Sequence, residues 1–196
     1  TGADDDVTAG ADQTGAVTED ATATTATGTI AGSDADDASS LAYTGDATGT
    51  YGAIAVVSGS GAWTYTLSNS DADTTALDAG DSVTDTFTMT VTDSASGETD
   101  TMAVTITITG ANDAPSAGSD GTGAVTEDAS TSTSTGSISA TDADDAAAFT
   151  YSGDATGTYG AIAVDSAGAW TYTLSNSDAD TTALDAGDSV TDTFTM

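Results

Sequence analysis

The amino-acid sequence predicts an all-β protein made of two tandem β-sandwich modules joined end to end. Three observations lead to this prediction. The chain of 196 residues repeats itself with a period close to 108 residues. Within each repeat, short segments alternate apolar residues with threonine, which is the period-two pattern of half-buried strands. Turns rich in Gly, Ser and Asp separate these segments.

The repeat sets the expected domain boundaries. Gly61–Met89 recurs letter for letter as Gly168–Met196, and the remaining parts of the two copies are closely similar. We expect a first sandwich at residues 1–110 and a second at 111–196, which is truncated before its last strand. Because the neighbouring modules are nearly identical, we expect a function that depends on the number of copies, such as spanning a distance, and not two differently specialised sites.

Seven strands are predicted in the first module. The first four are short runs bounded by Gly, Ser and Asp, and the last three alternate over six to nine residues. Trp63 and Tyr65 face the apolar side of the fifth strand, so core packing is expected for them. The sixth strand carries Asp85 on its apolar face, which is tolerable near a strand end. The strands are Gly15–Thr18, Thr27–Gly32, Leu41–Thr44, Tyr51–Val57, Ala62–Leu67, Val83–Val91 and Met102–Ile108.

Seven short strands in about 100 residues are typical of a Greek-key immunoglobulin-like sandwich. Asp73–Asp81 is the only segment expected to form a helical turn.

The charge of the chain excludes several classes of function. It has 32 acidic residues and no Lys, Arg or His, which gives a formal net charge of −32. Without basic residues we expect no nucleic-acid binding and no attraction to anionic lipid. Without Cys or His there is no zinc site, disulfide or Ser-His-Asp triad. No run of about 20 apolar residues is present, so no direct membrane insertion is expected.

The acidic residues point to calcium. All but Glu19, Glu98 and Glu127 are Asp, a residue that prefers turns and supplies short oxygen ligands. Following the strands from end to end brings nine oxygen-bearing side chains to the junction between the modules, and calcium takes six to eight such ligands. The predicted ligands there are Glu19, Asp20, Asp78, Asp81, Asn112, Asp113, Asp142, Asp144 and Asp145. The opposite end of the first module holds Asp34, Asp36, Asp37 and Asp93.

Several motifs resemble the VCBS repeat of large bacterial RTX-type surface adhesins. They are Gly-Thr-Ile-Ala-Gly-Ser-Asp-Ala-Asp-Asp at 28–37, Ala-Leu-Asp-Ala-Gly-Asp-Ser-Val-Thr-Asp-Thr-Phe at 76–87, and Thr-Gly-Ala-Asn-Asp-Ala-Pro at 109–115. The resemblance covers nearly the whole chain. It implies an exported protein at the bacterial cell surface that serves in adhesion or biofilm formation.

The layout also resembles cadherin modules, whose acidic loops and Asn-Asp linker bind calcium between domains. By this resemblance the calcium ligands are Asp142 with Asp144, Asp78, Asp93, and Asn112 with Asp113. The Leu77-Asp78 loop continues with Ala-Gly where cadherins have Arg-Glu, so the assignments around Asp78 and Asp81 depart from that pattern.

The expected function is therefore a calcium-stiffened extender or stalk of a secreted adhesin, whose partners are the neighbouring repeats of the same chain. Two alternatives stay open. One is a subunit of an extracellular filament in which a neighbouring copy donates the missing strand. The other is a module that binds glycan or ice through Trp63, Trp170 or the threonine faces of the strands. An enzyme is not expected, because no pocket-building insertion interrupts either module.

Overall fold

The computed structural model describes residues 5–35, 41–144 and 149–196. The chain divides into two compact units, Thr1–Asp113 and Ala114–Met196, and each is described by itself below. Regular structure in both units is almost entirely β. The first unit contains β1 (Thr8–Ala9), β2 (Gln13–Thr18), β3 (Thr25–Thr29), β4 (Gly32–Ser33), β5 (Leu41–Thr44), β6 (Ala47–Thr48), β7 (Gly52–Val56), β8 (Ala62–Leu67), β9 (Ser82–Asp93) and β10 (Thr99–Thr109).

One sheet of the first unit has the order β2-β10-β9-β5. Its last strand in sequence, β10, lies in the interior of the sheet. It pairs antiparallel with β9 from Thr99↔Thr92 to Thr109↔Ser82, and parallel with β2 from Val104↔Gln13 to Thr109↔Thr18. Because β10 joins the first strand of the sheet to β9, the sheet depends on a contact between the two ends of the unit.

The second sheet has the order β3-β8-β7-β6, and β1 and β4 form a separate two-stranded ladder. The sequence predicted one continuous strand at Thr27–Gly32, and that prediction is wrong in detail. The segment is divided between β3 and β4 because its two parts pair with different strands, β3 with β8 and β4 with β1. All seven predicted strands have counterparts, one of them divided between β3 and β4, and the two-residue strands β1 and β6 are additional.

The core of the first unit lies between the two sheets. Trp63 is 2% exposed and Tyr65 is fully buried, which confirms their predicted core positions. The ring centroids of Tyr65 on β8 and Phe87 on β9 are 5.9 Å apart, so the two sheets are in direct aromatic contact. A Cβ at Gly28 would lie 2.6 Å from the Trp63 ring, so β3 needs glycine where it passes over the indole. Burial of the indole leaves Trp63 unsuited to stacking on a sugar.

Asp85 is buried in this core for a reason that the sequence did not reveal. Its Oδ1 accepts a hydrogen bond from the amide of Thr50 at 2.9 Å. Its Oδ2 accepts hydrogen bonds from the amide of Tyr51 at 3.1 Å and from the Tyr65 hydroxyl at 2.9 Å. The carboxylate therefore fixes the loop between β6 and β7 to both sheets. A buried carboxylate is tolerated when its oxygen atoms accept hydrogen bonds in this way.

The described residues of the second unit form the equivalent of the β3-β8-β7-β6 sheet, and among them no equivalent of the β2-β10-β9-β5 sheet is formed. Its four-stranded sheet has the order β12-β16-β15-β14, and β11 pairs with β13 as β1 pairs with β4. The short helix lies in the repeat of the segment predicted to form a helical turn. The elements are β11 (Ser116–Ala117), β12 (Thr133–Ser137), β13 (Ala140–Thr141), β14 (Ala155–Thr156), β15 (Gly160–Val164), β16 (Ala169–Leu174) and α1 (Ala179–Thr182).

Candidate calcium site

Six of the predicted ligands lie at one end of the first unit, which we call the lower end: the end where β2 and β10 finish and β9 begins. Thr18, Thr109 and Ser82 are neighbours there across the ladder. The chain continues from them into Glu19 after β2, into the linker after β10, and back to Asp81 before β9. The strand order therefore gathers residues that are up to 94 positions apart in the sequence, from Glu19 to Asp113.

Glu19 is the most buried of these ligands, with 2% of its surface exposed. Its amide donates to the carbonyl of Thr109 at 2.9 Å, which extends the ladder by one residue. Its Oε2 accepts a hydrogen bond from the amide of Ala111 at 3.1 Å. The side chain therefore lies against the start of the linker, directly before Asn112 and Asp113.

Asp78 and Asp81 form a tight turn on the other side of the linker. The amide of Asp81 donates to the carbonyl of Asp78 at 2.9 Å, and the amide of Asp78 donates to Oδ2 of Asp81 at 3.3 Å. Gly110 donates its amide to the carbonyl of Asp81 at 3.0 Å. A Cβ on Gly110 would lie only 2.4 Å from the carbonyl oxygen of Asp78. The linker thus begins in close contact with the Leu77-Asp78 loop, and only glycine fits at that point.

Asp20, the next predicted ligand, has a left-handed backbone with φ 52°. Its Oδ1 accepts a hydrogen bond from Nδ2 of Asn69 at 3.4 Å. The left-handed region is uncommon for residues other than glycine, although Asp adopts it more readily than most. Asp128, the same position of the second unit, has φ 54°. In the linker, Nδ2 of Asn112 donates to the carbonyl of Asp113.

The opposite, upper end of the first unit holds Asp34 and Asp93. Asp93 is 2% exposed and continues the inward-facing register of Met89 and Val91 on β9. Its carboxylate accepts hydrogen bonds from the amides of Ala95 at 3.0 Å and Ser96 at 2.9 Å. Asp34 directly follows β4. Asp36 and Asp37, which were predicted with them, lie outside the described residues.

In the second unit, Asp142 directly follows β13, as Asp34 directly follows β4 in the first unit, and Asp144 comes two residues later. Asp145 lies outside the described residues. Sequence reasoning did not assign the lower end of the second unit, although the repeat was the signal that identifies it. The equivalents of Glu19, Asp20, Asp78 and Asp81 there are Glu127, Asp128, Asp185 and Asp188.

The donors fit calcium in chemistry. They are carboxylate, amide and carbonyl oxygens, which are the ligands that calcium prefers. Glu19 and Asp93 are each 2% exposed in a chain whose sequence has no Lys, Arg or His to pair with them. Within residues 5–35, 41–144 and 149–196, no three acidic side chains approach closely enough to hold a metal ion. The fold thus brings the predicted ligands to one end of the first unit, but the described acidic side chains there are not close enough together to coordinate one ion.

Comparison with known families decides the class of this molecule. The sequence profile of the bacterial cadherin-like domain matches residues 4–110, which is more than half of the chain. The chain belongs to this family. The family match confirms the predicted resemblance to cadherin-like repeats, and it spans the β1–β10 sandwich and the Leu-Asp turn.

Several solved structures are similar to this cadherin-like chain. Domains EC21-23 of human CDH23 are 18% identical, with a TM-score of 0.48, and the match covers 90% of this chain and 56% of that one. Cadherin domains 1–4 of protocadherin gamma B7 are 14% identical, with a TM-score of 0.49 and coverages of 91% and 43%. Domains EC1-4 of Drosophila N-cadherin are 18% identical, with a TM-score of 0.46 and coverages of 89% and 42%. The chain spans about half the length of these structures or less. No curated protein sequence matches it.

Cadherin-like domains are extracellular modules of adhesion and structural proteins, and they typically bind calcium. In the part of the chain that the structure describes, no helix is long and apolar enough to cross a membrane.

Proposed function

We propose that this cadherin-like chain is part of the extender of a secreted bacterial adhesin, and that calcium bound at the ends of its modules stiffens it. The proposal rests on the arrangement of acidic residues at the lower end of the first unit. There the buried Glu19 carboxylate, the Asp78–Asp81 turn and the Asn112-Asp113 linker meet in a chain with a net charge of −32 and no basic residue.

The electrostatics explain why a cation would matter. Two carboxylates about 5 Å apart repel each other by roughly 3 kcal/mol at an effective dielectric constant of about 20. Repulsion between acidic side chains that meet at a module end would therefore weaken the linker contacts unless a cation neutralises it. Calcium would supply that neutralisation and up to about eight coordination positions. The chain's own contribution is to hold Glu19 against the amide of Ala111 and the linker against the Asp78 carbonyl.

The expected strength of binding is modest. Extracellular calcium modules bind with dissociation constants of about 10⁻⁴–10⁻³ M. An ion present at about 100 times its dissociation constant stabilises the folded state by roughly 2.7 kcal/mol. Stiffening of this kind suits a stalk that works at millimolar calcium outside the cell. Strands of 11 and 12 residues, β10 and β9, give each complete module a length of about 35–40 Å, so many copies would reach far.

The proposal is tested by calcium titration of the 196-residue chain with calorimetry and thermal melting. We expect saturable binding and a higher melting temperature of the first unit in millimolar calcium. Glu19→Gln keeps the size and the hydrogen-bonding capacity of the side chain but removes one charge, and it should weaken binding and reduce the thermal shift. Asp120→Asn removes one charge from an exposed residue outside the predicted ligand set and is the matched control.

Two results would reject the proposal. One is calcium binding that is equally weakened by Glu19→Gln and Asp120→Asn, because that pattern means diffuse screening and not a site. The other is a melting temperature that is the same in chelator and in millimolar calcium.

A further inference from the structure

The chain enters and leaves the first unit through two segments that pair with each other. The entry segment, residues 7–19, contains β1 and β2, and the exit segment, residues 99–111, contains β10. β2 and β10 pair in parallel over six residues of each strand, Gln13–Thr18 with Val104–Thr109. The two strands through which tension would enter and leave the unit are therefore bound directly to each other.

Carboxylates extend this ladder beyond both of its ends. At the upper end, Oδ1 of Asp12 accepts a hydrogen bond from the amide of Ala103 at 2.8 Å. Further along, Oδ2 of Asp100 accepts one from the amide of Ala9 at 2.8 Å. At the lower end, the amide and the carboxylate of Glu19 continue the ladder through the contacts described above. The entry segment is thus hydrogen-bonded to the exit segment at intervals from Ala9 to Glu19.

The direction of the two strands decides how this ladder responds to tension. In a parallel pair, the start of one strand lies beside the start of the other. Tension along the chain pulls β2 from its start, at the upper end, and pulls β10 from its finish, at the lower end. The strands are therefore loaded in opposite directions along the ladder, so that its hydrogen bonds bear the load together and do not open one after another.

We propose that segments 9–19 and 100–111 form a mechanical clamp, which resists unfolding of the first unit under tension along the chain. The other edge of β10 is held as well, because Thr99–Thr109 pairs with Ser82–Thr92 over eleven residues. The inference rests on the proposed extender in one respect, which is that such a chain is pulled along its length. It requires no bound ion, since each hydrogen bond of the clamp joins two groups of the protein.

The test is single-molecule force spectroscopy of the 196-residue chain with two attachment geometries. The sequence has no Cys, so a pair of introduced cysteines gives unique thiol handles. Asp6→Cys with Ala114→Cys places the handles at exposed positions outside β1 and β10 and loads the clamp in shear. Asp6→Cys with Ala95→Cys places both handles at the upper end, because Ala95 lies in the turn between β9 and β10, and it opens the clamp pair by pair.

Forced unfolding is governed by the unfolding rate, so the rates at equal force are compared. The shear geometry should unfold at least about tenfold more slowly, a factor that two net hydrogen bonds broken together already give. This comparison changes only exposed positions, so it stays informative if a variant of the clamp lowers the stability of the unit.

Two aspartates of the first unit provide matched variants. Asp12→Ala removes a carboxylate that belongs to the clamp, whereas Asp46→Ala removes one that accepts from the amide of Val56 at 2.6 Å outside the clamp. Each variant loses one charge and one hydrogen bond, so similar decreases in melting temperature are expected. Only Asp12→Ala should raise the unfolding rate in the shear geometry, by about three- to tenfold. Asp12→Asn keeps an acceptor oxygen and should restore most of the resistance.

The measurements are made in millimolar calcium and repeated in excess chelator, and the same order of rates is expected in both. Equal unfolding rates in the two geometries would overturn the proposal, as would an Asp46→Ala variant that unfolds under force as fast as Asp12→Ala. A difference between geometries that disappears in chelator would also overturn it, because the resistance would then belong to bound ions. Absence of calcium binding in the titration above would reject the proposed stiffening and leave these rates unchanged.

Discussion

Gly61–Met89 and Gly168–Met196 have the same sequence but different surroundings. In the first unit Tyr65, Phe87 and Met89 are buried between two complete sheets. In the second unit Tyr172 and Phe194 are only half-buried, and Met196 is 42% exposed. The difference is the strand β10, which lies in the interior of one sheet of the first unit. The comparison shows that this segment does not bury its apolar side chains by itself in the first unit, because β10, the next strand along the chain, completes the sheet.

Some contacts survive without that strand. The Tyr172 and Phe194 rings lie 6.0 Å apart, close to the 5.9 Å between Tyr65 and Phe87. Asp192 accepts hydrogen bonds from Thr158, Tyr159 and Tyr172 at 2.9, 3.0 and 2.9 Å, as Asp85 does from its own partners. These contacts join residues about 20 to 35 positions apart. The contacts of the Asp192 carboxylate and of the aromatic pair therefore form without β10, whereas the burial of the surrounding apolar side chains requires it.

The largest expected effect separates two equivalent methionines. Met89→Ala removes a fully buried side chain and should destabilise the first unit by about 2–5 kcal/mol. Met196→Ala removes an exposed one and should change the free energy of unfolding of the second unit by about 0.5 kcal/mol or less. Urea unfolding followed through the indole N–H resonances of Trp63 in the first unit and Trp170 in the second measures both. Equal losses in the two units would show that β10 is not the source of the difference.

A smaller effect is expected at the tyrosines that bind the buried carboxylates. Tyr65→Phe leaves Asp85 with one hydrogen bond fewer in a buried site and should cost about 1–3 kcal/mol. Tyr172→Phe makes the same change where water reaches the half-buried Asp192, and it should cost less than Tyr65→Phe. Thermal unfolding of the two variants checks the order, and a larger loss for Tyr172→Phe would contradict the account.

The glycine at position 121 offers a gain of stability. Gly121 occupies the place of Gln13, so Gly121→Gln would give Trp170 Nε1 the acceptor that it lacks among the described residues. A Cβ at this position lies 2.9 Å from Nε1, so any side chain requires a small shift of the indole. Gly121→Ala causes the same shift without an acceptor and is the matched control. We expect the Gln variant to be more stable than the Ala variant by about 0.5–1.5 kcal/mol in urea unfolding.

The smallest effects are those of pH on the second unit. Burial acts to raise the pKa of Asp192, but hydrogen bonds from Tyr172 and from the amides of Thr158, Tyr159 and Gly160 bring it below the usual value of 3.8. A lowered folded pKa means that this group's contribution is complete above about pH 4 and is lost as the pH falls through the folded value.

Alkaline pH acts through the tyrosine. Burial, and then the hydrogen bond and the charge of Asp192, raise the pKa of Tyr172 from 10.0 to about 12. Its contribution is therefore complete below pH 10 and is lost as the pH rises toward 12. Melting of the wild-type chain and of Tyr172→Phe between pH 8 and 12 isolates this group. An identical alkaline decline of the second-unit transition in both proteins would contradict the assignment.

The sequence predicted those parts of the fold that local patterns control. Alternation placed Trp63 and Tyr65 in the core, and the strand trace placed Glu19, Asp78 and Asp113 at one end of the first unit. It did not predict the division of Thr27–Gly32, because that depends on which distant strand pairs with each half. It treated Asp85 as an exception near a strand end, because its hydrogen-bond donors come from a loop 34 and 35 residues away and from the facing sheet.

The candidate site was predictable to a similar extent. Charge and residue type indicated calcium, and strand direction indicated which acidic residues share an end. The close contact of Gly110 with the Asp78 carbonyl could not be predicted, since it depends on how the linker leaves β10. The coordination of an ion by the predicted ligands remains a prediction.

Small-angle X-ray scattering of the 196-residue chain, in millimolar calcium and in excess chelator, tests the proposed stiffening most directly. The account predicts a longer maximum dimension and a narrower distribution of distances with calcium, and a shorter, broader distribution after chelation. Glu19→Gln should need more calcium to reach the long form than the Asp120→Asn control. A long axis that is unchanged by chelation would contradict the claim that calcium stiffens this chain.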